Sequence, residues 1–329
     1  MDEKTLREGL DRTLHSTDLT GLGALRRGKV RDSYVGRERR VIVTTDRLSA
    51  FDRVLTTLPF KGQVLNRCAA FWFDKTRDVV PNHVLSVPDP SAMVVTECAL
   101  IPVEMVVRSY MTGTTTTSIW YRYEKGDRLY CGHKLPDGLC KHQRLERPLI
   151  TPTTKAEGGA HDALASREEL IAMGACDAKT FDAMAEHALT LFRIGQEHCA
   201  KNGLLLVDTK YEFGRAKDGT IVVIDEVHTP DSSRFWVADT YGKRLAEGGD
   251  PDALDKEYVR RWYADQGYTG DGPPPPLSDE VRLEAARRYI AACELITGRP
   301  FEADLEEPIA RISRHLRLTT SGTPAAGKP

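Results

Sequence analysis

LLLVDTKYEFG, residues 204–214, runs four apolar residues straight into Asp208, Lys210 and Glu212. A second run of the same kind, IVVIDEV at residues 221–227, follows after the polar turn GRAKDG. Short apolar runs on either side of such a turn predict a β-hairpin. Residues two apart on a strand share a face, so Asp208, Lys210 and Glu212 line up if the strand continues through them. Asp225 closes the facing strand, with Glu226 beside it. Two readings follow. In one, the hairpin's charges face water. In the other, the carboxylates lie inside a sheet, where burial is costly unless compensated. One ammonium does not neutralise Asp208, Glu212 and Asp225 together. A hard divalent ion does, and Mg²⁺ is held by one or two carboxylates plus substrate phosphates.

The flanking segments add donors. EVHTPDSSRFW, residues 226–236, sets Asp231, two serines and Arg234 ahead of an aromatic pair. Arginine suits bidentate capture of phosphate or carboxylate. A capping loop before an aromatic core contact is the plainer alternative. GKVRD places Gly28 and Lys29 at the first strand of a hairpin, where backbone and a mobile charge approach a phosphate. TTDRLSAFD groups Asp46, Arg47, Ser49 and Asp52 in a polar patch. Arg108 ends an apolar strand after EMVV, and TPTTKAEGGAHD gathers Thr151, Thr153, Thr154, Lys155, Glu157, His161 and Asp162. Many anion donors beside several carboxylates suit ATP-dependent bond formation.

The chain of 329 residues is 40% hydrophobic and 29% charged with a formal net charge of -2, which is ample for a core and exerts no global pull on nucleic acid. Seven scattered cysteines, odd in number and with no close pair, fit a reducing cytoplasm rather than a disulfide framework. Cys131, His133, Cys140 and His142 have the spacing of half a zinc site but lack anchoring residues around them. No signal peptide or membrane span is expected. Helices are expected over residues 5–14, 66–80, 167–171, 177–202, 255–264 and 279–295. Residues 30–35 and 40–44 read as a hairpin, and 93–113 as two strands broken at Pro102. Residues 120–138 read as an exposed excursion. Two β-regions, each joined to helices, predict an α+β, two-lobed architecture with no dinucleotide fingerprint or Gly-Lys-Ser/Thr phosphate loop. The lobes are an antiparallel-sheet lobe over 1–106 and an α+β lobe over 107–315, with an insertion near 120–148. Residues 316–329 are expected to form a disordered tail.

GKVRD, TTDRLSAFD, KGQVLN, EMVVRSYMTG, TPTTKAEGGAHD, DTKYEFG and DEVHTPDSSRFW, in this order, closely resemble the SAICAR synthase (phosphoribosylaminoimidazole-succinocarboxamide synthase) family, in its longer form. The resemblance spans about residues 28–298. It implies a two-lobed α+β fold like that of kinases and ATP-grasp enzymes, with ATP in the interlobe cleft and Mg²⁺ on its phosphates. The implied activity is that of an ATP-dependent carboxylate-amine ligase joining L-aspartate to CAIR in purine biosynthesis. By resemblance, Lys29 under the Gly28 turn serves the phosphates, and Glu104, Met105 and Val106 offer backbone to adenine. Glu212 and Asp225 hold Mg²⁺, with Asp208 and Lys210 beside them; Glu212 is thereby also a cofactor-binding residue. Arg108, Thr114, Asp231 and Arg234 receive the phosphoribosyl portion of CAIR, and the loop of Lys155, His161 and Asp162 is the mobile substrate loop. Thr114 departs from the serine common there, and GGDPDALDKE departs from a glutamine-containing stretch.

A small-molecule kinase is the enzymatic rival, but the His-Arg-Asp and Asp-Phe-Gly pattern is absent. A non-catalytic nucleotide- or RNA-binding module is the other. Interleaved acidic and basic residues disfavour it, and no nucleic-acid or membrane partner is expected. The long insertion points to a monomer.

Overall fold

The computed structural model describes residues 1–51, 53–155, 162–268, 270 and 272–318. Helix α1 (Glu3–Glu8), capped by the Asp2 side chain, precedes an antiparallel sheet. The sheet is built from β1 (Ala24–Arg27), β2 (Arg31–Val35) and β3 (Arg39–Thr44), and is completed by two later strands. The hairpin of β4 (Arg47–Ala50) and β5 (Arg53–Thr57) leads into α2 (Lys61–Thr76). Strands β6 (Val84–Asp89) and β7 (Ala92–Thr96) then close the sheet in the order β1-β2-β3-β7-β6.

The second sheet begins with β8 (Ala99–Tyr110). After it come α3 (Ile119–Glu124), the small hairpin β9 (Leu129–Tyr130) and β10 (His133–Lys134), then β11 (Arg144–Ile150) and β12 (Thr153–Thr154). Helices α4 (Arg167–Ala172) and α5 (Ala178–Lys201) lead to β13 (Leu204–Arg215), β14 (Ile221–Ile224) and β15 (Ser233–Val237). The order is β11-β8-β13-β14, with β12 beside β8 and β15 sharing the outer side of β13. Helices α6 (Ala238–Ala246), α7 (Glu257–Asp265), α8 (Asp279–Thr297) and α9 (Pro308–His315) complete the chain. The mixed α+β architecture is the one expected. Among the described residues no helix is long and apolar enough to cross a membrane.

Helix α5 covers one face of β13 and β8. Its buried Phe181, Met184, Ala188, Leu191 and Phe192 form the apolar stripe that the 3.6-residue period predicts. One hydrophobic cluster then joins both sheets: Ile42, Trp72 and Met93 belong to the same core as Met105, Phe192, Phe213 and Tyr289.

Three expectations need correcting. The chain breaks between β7 and β8 at Glu97 and Cys98, and Pro102 lies inside β8. Its strand survives there because the ladder to β13 is irregular between Leu100 and Glu104, so the missing N–H disturbs little. Val106, where the expected first lobe ends, lies within β8. The segment 120–138 is not a bare excursion either. Met111, Ile119, Tyr123, Tyr130, Leu135 and Leu149 form their own small core, which the intervening Gly and Lys residues obscure in the sequence. In the tail, Leu316 and Leu318 pack on the Tyr34 and Val43 cluster, and 319–329 lie outside the described residues.

Candidate active site

The charged face of the second sheet is made by a slip in β13. Leu204 and Leu206 point into the core under α5, as do Tyr211 and Phe213, although an even and an odd series cannot share one face of a regular strand. The register to β15 shifts between Leu206 and Asp208, leaving Val207 as the extra residue of a bulge. Val207 packs instead with Tyr110 and Trp236. Asp208, Lys210 and Glu212 are thereby turned away from α5 and onto one face, the alignment expected from their spacing. They do not simply face water: Asp208 is 5% exposed and Glu212 8%. That removes the solvated-hairpin reading.

Asp208 lies directly opposite Arg108 on β8 and Arg234 on β15. Its Oδ2 accepts from Arg108 Nη1 at 3.2 Å and from Arg234 Nη1 at 2.5 Å. Arg108 Nε also donates to Thr151 Oγ1 at 3.0 Å. A side chain at Gly113 would approach Arg234 Nη2 to 3.3 Å, so the turn before exposed Thr114 runs against this guanidinium. One carboxylate between two guanidiniums leaves positive charge for an anion.

Two residues along β13, Lys210 Nζ meets Glu104 Oε1 at 3.0 Å and also Glu212, which Lys155 pairs from the other side. Thr153 Oγ1 donates to Glu104 Oε2 at 3.2 Å. Burial raises the pKa of Glu212, but Lys210 and Lys155 outweigh it and hold the carboxyl at about 2. Burial works against the Lys210 ammonium, yet Glu212, Glu104 and Asp225 raise its pKa well above the ordinary value.

Asp225 follows β14 with φ 65°, in the left-handed region. Arg31, from the first sheet, reaches its Oδ1 at 3.0 Å and Glu226 Oε2 at 2.5 Å. Burial pushes the Asp225 pKa up; Arg31 opposes this, and Glu212 and Glu226 add to it. Asp231 sits on the next turn, bonded to Lys61 Nζ at 2.6 Å and Tyr289 Oη at 2.7 Å. Lys256 stands within electrostatic reach of Asp231 and Glu226, its pKa lowered to about 8 by burial and by Arg260.

The structure thus brings together Arg108, Asp208, Arg234, Glu104, Lys155, Lys210, Glu212 and Asp225. Gly28 and Lys29 occupy the turn from β1 to β2 that delivers Arg31, and Arg47 shapes that turn by donating to Gly28 O at 2.9 Å and Lys29 O at 3.0 Å. Asp46 and Arg47 are therefore internal struts rather than an open polar patch. Asp46 accepts from Leu14 N at 2.6 Å and Gly62 N at 2.7 Å. Asp162 is exposed, while Asp52, Glu157 and His161 lie outside the described residues.

Glu104, Met105 and Val106 are not an open backbone segment. They pair with β13 along one side, and on the other Glu104 pairs with β12 and Val106 O accepts from Thr151 N at 2.8 Å. Met105 is also fully buried in the α5 core, so a strand with neighbours on both sides replaces the adenine-facing hinge expected there. Sequence reasoning named Glu226 only as the neighbour of Asp225, and it missed Arg31, Lys61 and Lys256. The signal was present for two of them: Arg31 ends the quoted Gly-Lys turn, and Lys61 opens KGQVLN.

The donor set can be tested against Mg²⁺. Among the described residues no three His, Cys, Asp or Glu side chains form a closed metal site. Glu212 and Asp225 are hard oxygen donors, and the Glu212 charge helps to raise the pKa of Asp225. Two such carboxylates fit Mg²⁺, which seldom takes an all-protein cage and is completed by substrate phosphates.

The family model described as SAICAR synthetase matches residues 24–275. The chain is 48% identical over 295 residues to a putative phosphoribosylaminoimidazole-succinocarboxamide synthase 2 of Mesorhizobium japonicum, covering 89% of this chain and 94% of that protein. It is 47% identical to a phosphoribosylaminoimidazole-succinocarboxamide synthase of Legionella pneumophila over 84% of this chain and 89% of that one. A SAICAR synthase structure from Saccharomyces cerevisiae, complexed with SAICAR, superposes with TM-score 0.76 at 29% identity, covering 88% of this chain and 100% of that one.

Proposed function

This chain belongs to the SAICAR synthetase family, and from that membership we propose how its buried charges perform the family's reaction. The protein is an ATP-dependent ligase of purine biosynthesis, joining L-aspartate to CAIR to give SAICAR, ADP and phosphate. The observation that carries the mechanistic reading is the charge balance between the sheets. Four carboxylates, Glu104, Glu212, Asp225 and Glu226, interleave with three cations, Arg31, Lys155 and Lys210. Such a set accommodates one further cation together with the phosphates of ATP.

The CAIR carboxylate attacks the γ-phosphoryl group, releasing ADP and leaving an acyl phosphate. The aspartate amine then adds to the acyl carbon, loses a proton to solvent and displaces phosphate. Arg108 and Arg234, set by Asp208, receive the phosphoribosyl group with Thr114 and Asp231 at its margin. Lys29 and Lys210 offset the charge that builds when the anions meet, a role for fixed electrostatics rather than for a protein nucleophile. Glu212 and Asp225 are the residues that would hold Mg²⁺, which supplies further charge neutralisation on the phosphate oxygens when bound. The test is a reaction with ATP, Mg²⁺, CAIR and L-aspartate, followed by mass spectrometry. ADP and the succinocarboxamide should appear together and only with aspartate present. ADP release that is independent of aspartate, with no such product, would overturn the assignment.

A further inference from the structure

His228 has no part in the reaction as described, yet it is completely buried and its backbone is in the left-handed region at φ 44°. Asp225, three residues earlier, is left-handed as well. Two non-glycine residues of this kind in one turn persist only where the surroundings hold them. The surroundings here are specific. His228 Nε2 meets Tyr211 Oη at 2.5 Å, and its ring lies edge-on to Trp72 with centroids 4.6 Å apart. Helix α5 passes so close that a side chain at Gly195 would come within 2.8 Å of His228 Nδ1, a nitrogen with no hydrogen-bond partner among the described residues. Tyr211 stands between Lys210 and Glu212 on β13 and points to the opposite face. The bond from Tyr211 to His228 therefore ties the turn bearing Asp225 to the strand bearing Glu212, from behind the sheet.

We propose that His228, pinned by Tyr211, is a positioning residue that sets the Asp225 carboxylate against Glu212. The proposal rests on the reading that these two carboxylates hold Mg²⁺. Partners bonded directly to metal ligands are worth about 10–100-fold in metal affinity, and His228 acts through the backbone of the Asp225 turn, so the lower end of that range is expected.

Tyr211→Phe removes one oxygen and leaves the ring packing intact. The readout is the rise in melting temperature on titrating Mg²⁺ in the presence of ADP, taken relative to the metal-free melt of each variant. Steady-state KM for CAIR is measured alongside. Tyr211→Phe should move the Mg²⁺ midpoint upward by about tenfold while KM for CAIR stays within about twofold. His228→Gln, which keeps an amide within reach of Tyr211 Oη, should retain more Mg²⁺ affinity than His228→Leu. Asp225→Asn runs as the control. If Asp225→Asn shifts the midpoint and Tyr211→Phe does not, the positioning role fails alone. If neither shifts it, the metal reading fails and the proposal falls with it. A purely structural pin would lower the metal-free melt and move CAIR and Mg²⁺ responses together, which also overturns it.

Discussion

Asp225 shows how an expensive carboxylate betrays a task. Its pKa is raised by burial and by Glu212 and Glu226, against the pull of Arg31. A carboxyl group with a raised folded pKa contributes stability below its unfolded pKa and loses it as pH rises through the folded one. At neutral pH its charge is thus a net cost to the fold. Asp225→Asn keeps the shape, tolerates the left-handed backbone and leaves Arg31 paired to Glu226. The variant gives up the Arg31 pair but relieves the repulsion from Glu212 and Glu226, so the metal-free protein should stay folded with its melt little changed or slightly raised. Turnover should fall by about 100-fold or more, which corresponds to about 2.7 kcal/mol of lost transition-state stabilisation. Undiminished turnover with an unaltered Mg²⁺ dependence would remove Asp225 from the metal site.

At the scale of elements, the site is built by irregularities. The bulge at Val207 turns Asp208 out of the core, and the left-handed residues at 225 and 228 swing Asp225 back beside β13. Helix α5 supports both from behind, and Gly195 is where it comes closest. A Cβ there would sit 2.7 Å from Leu206 Cδ2 and 2.8 Å from His228 Nδ1. Alanine ordinarily stabilises a helix interior by about 1 kcal/mol over glycine. Here the overlap with two buried groups costs about 1–3 kcal/mol, and neither can withdraw into solvent. Gly195→Ala is therefore expected to lower the urea midpoint, against the helix scale. A more stable variant would show that α5 has slack that these distances deny.

Across the whole molecule, the two halves are joined by buried ion pairs as well as by apolar packing. Lys61 begins α2, is fully buried, and reaches Asp231 at 2.6 Å beyond the second sheet's β14. Burial raises the Asp231 pKa, but Lys61 and Lys256 outweigh it and hold the carboxyl at about 2. An aspartate titrates near 3.9 when unfolded, so this pair contributes fully above about pH 4 and is lost as pH falls through about 2. Lys61→Met strands a buried carboxylate and should cost about 3–5 kcal/mol near neutrality. The difference in unfolding free energy between the variant and the parent should shrink as pH is lowered from about 5 toward 2. A difference that does not change with pH would assign the loss to packing alone.

The residues of the site were legible before the fold was seen because chemistry of this kind needs particular groups close together in sequence. DTKYE carries its alternation openly, and seven ordered motifs point to one family. Helix α5 and the hairpin of β13 and β14 were equally readable, since a 3.6-residue apolar stripe and two apolar runs around GRAKDG depend on local pattern alone. Partners were not readable. Arg31 and Asp225 are far apart in the chain, as are Lys61 and Asp231, and no local spacing records that two sheets will bring them within 3.0 Å and 2.6 Å. Nor does period-two alternation reveal which face Asp208 will take. Continued from Leu204 and Leu206 without a break, it would have buried that carboxylate under α5. The slip at Val207 exists only because β15 pairs with β13 out of step, and pairing between distant strands is a property of the folded chain. Sequence determined which charges are present and their order along the strand; the tertiary fold decided their faces, their partners and therefore their protonation.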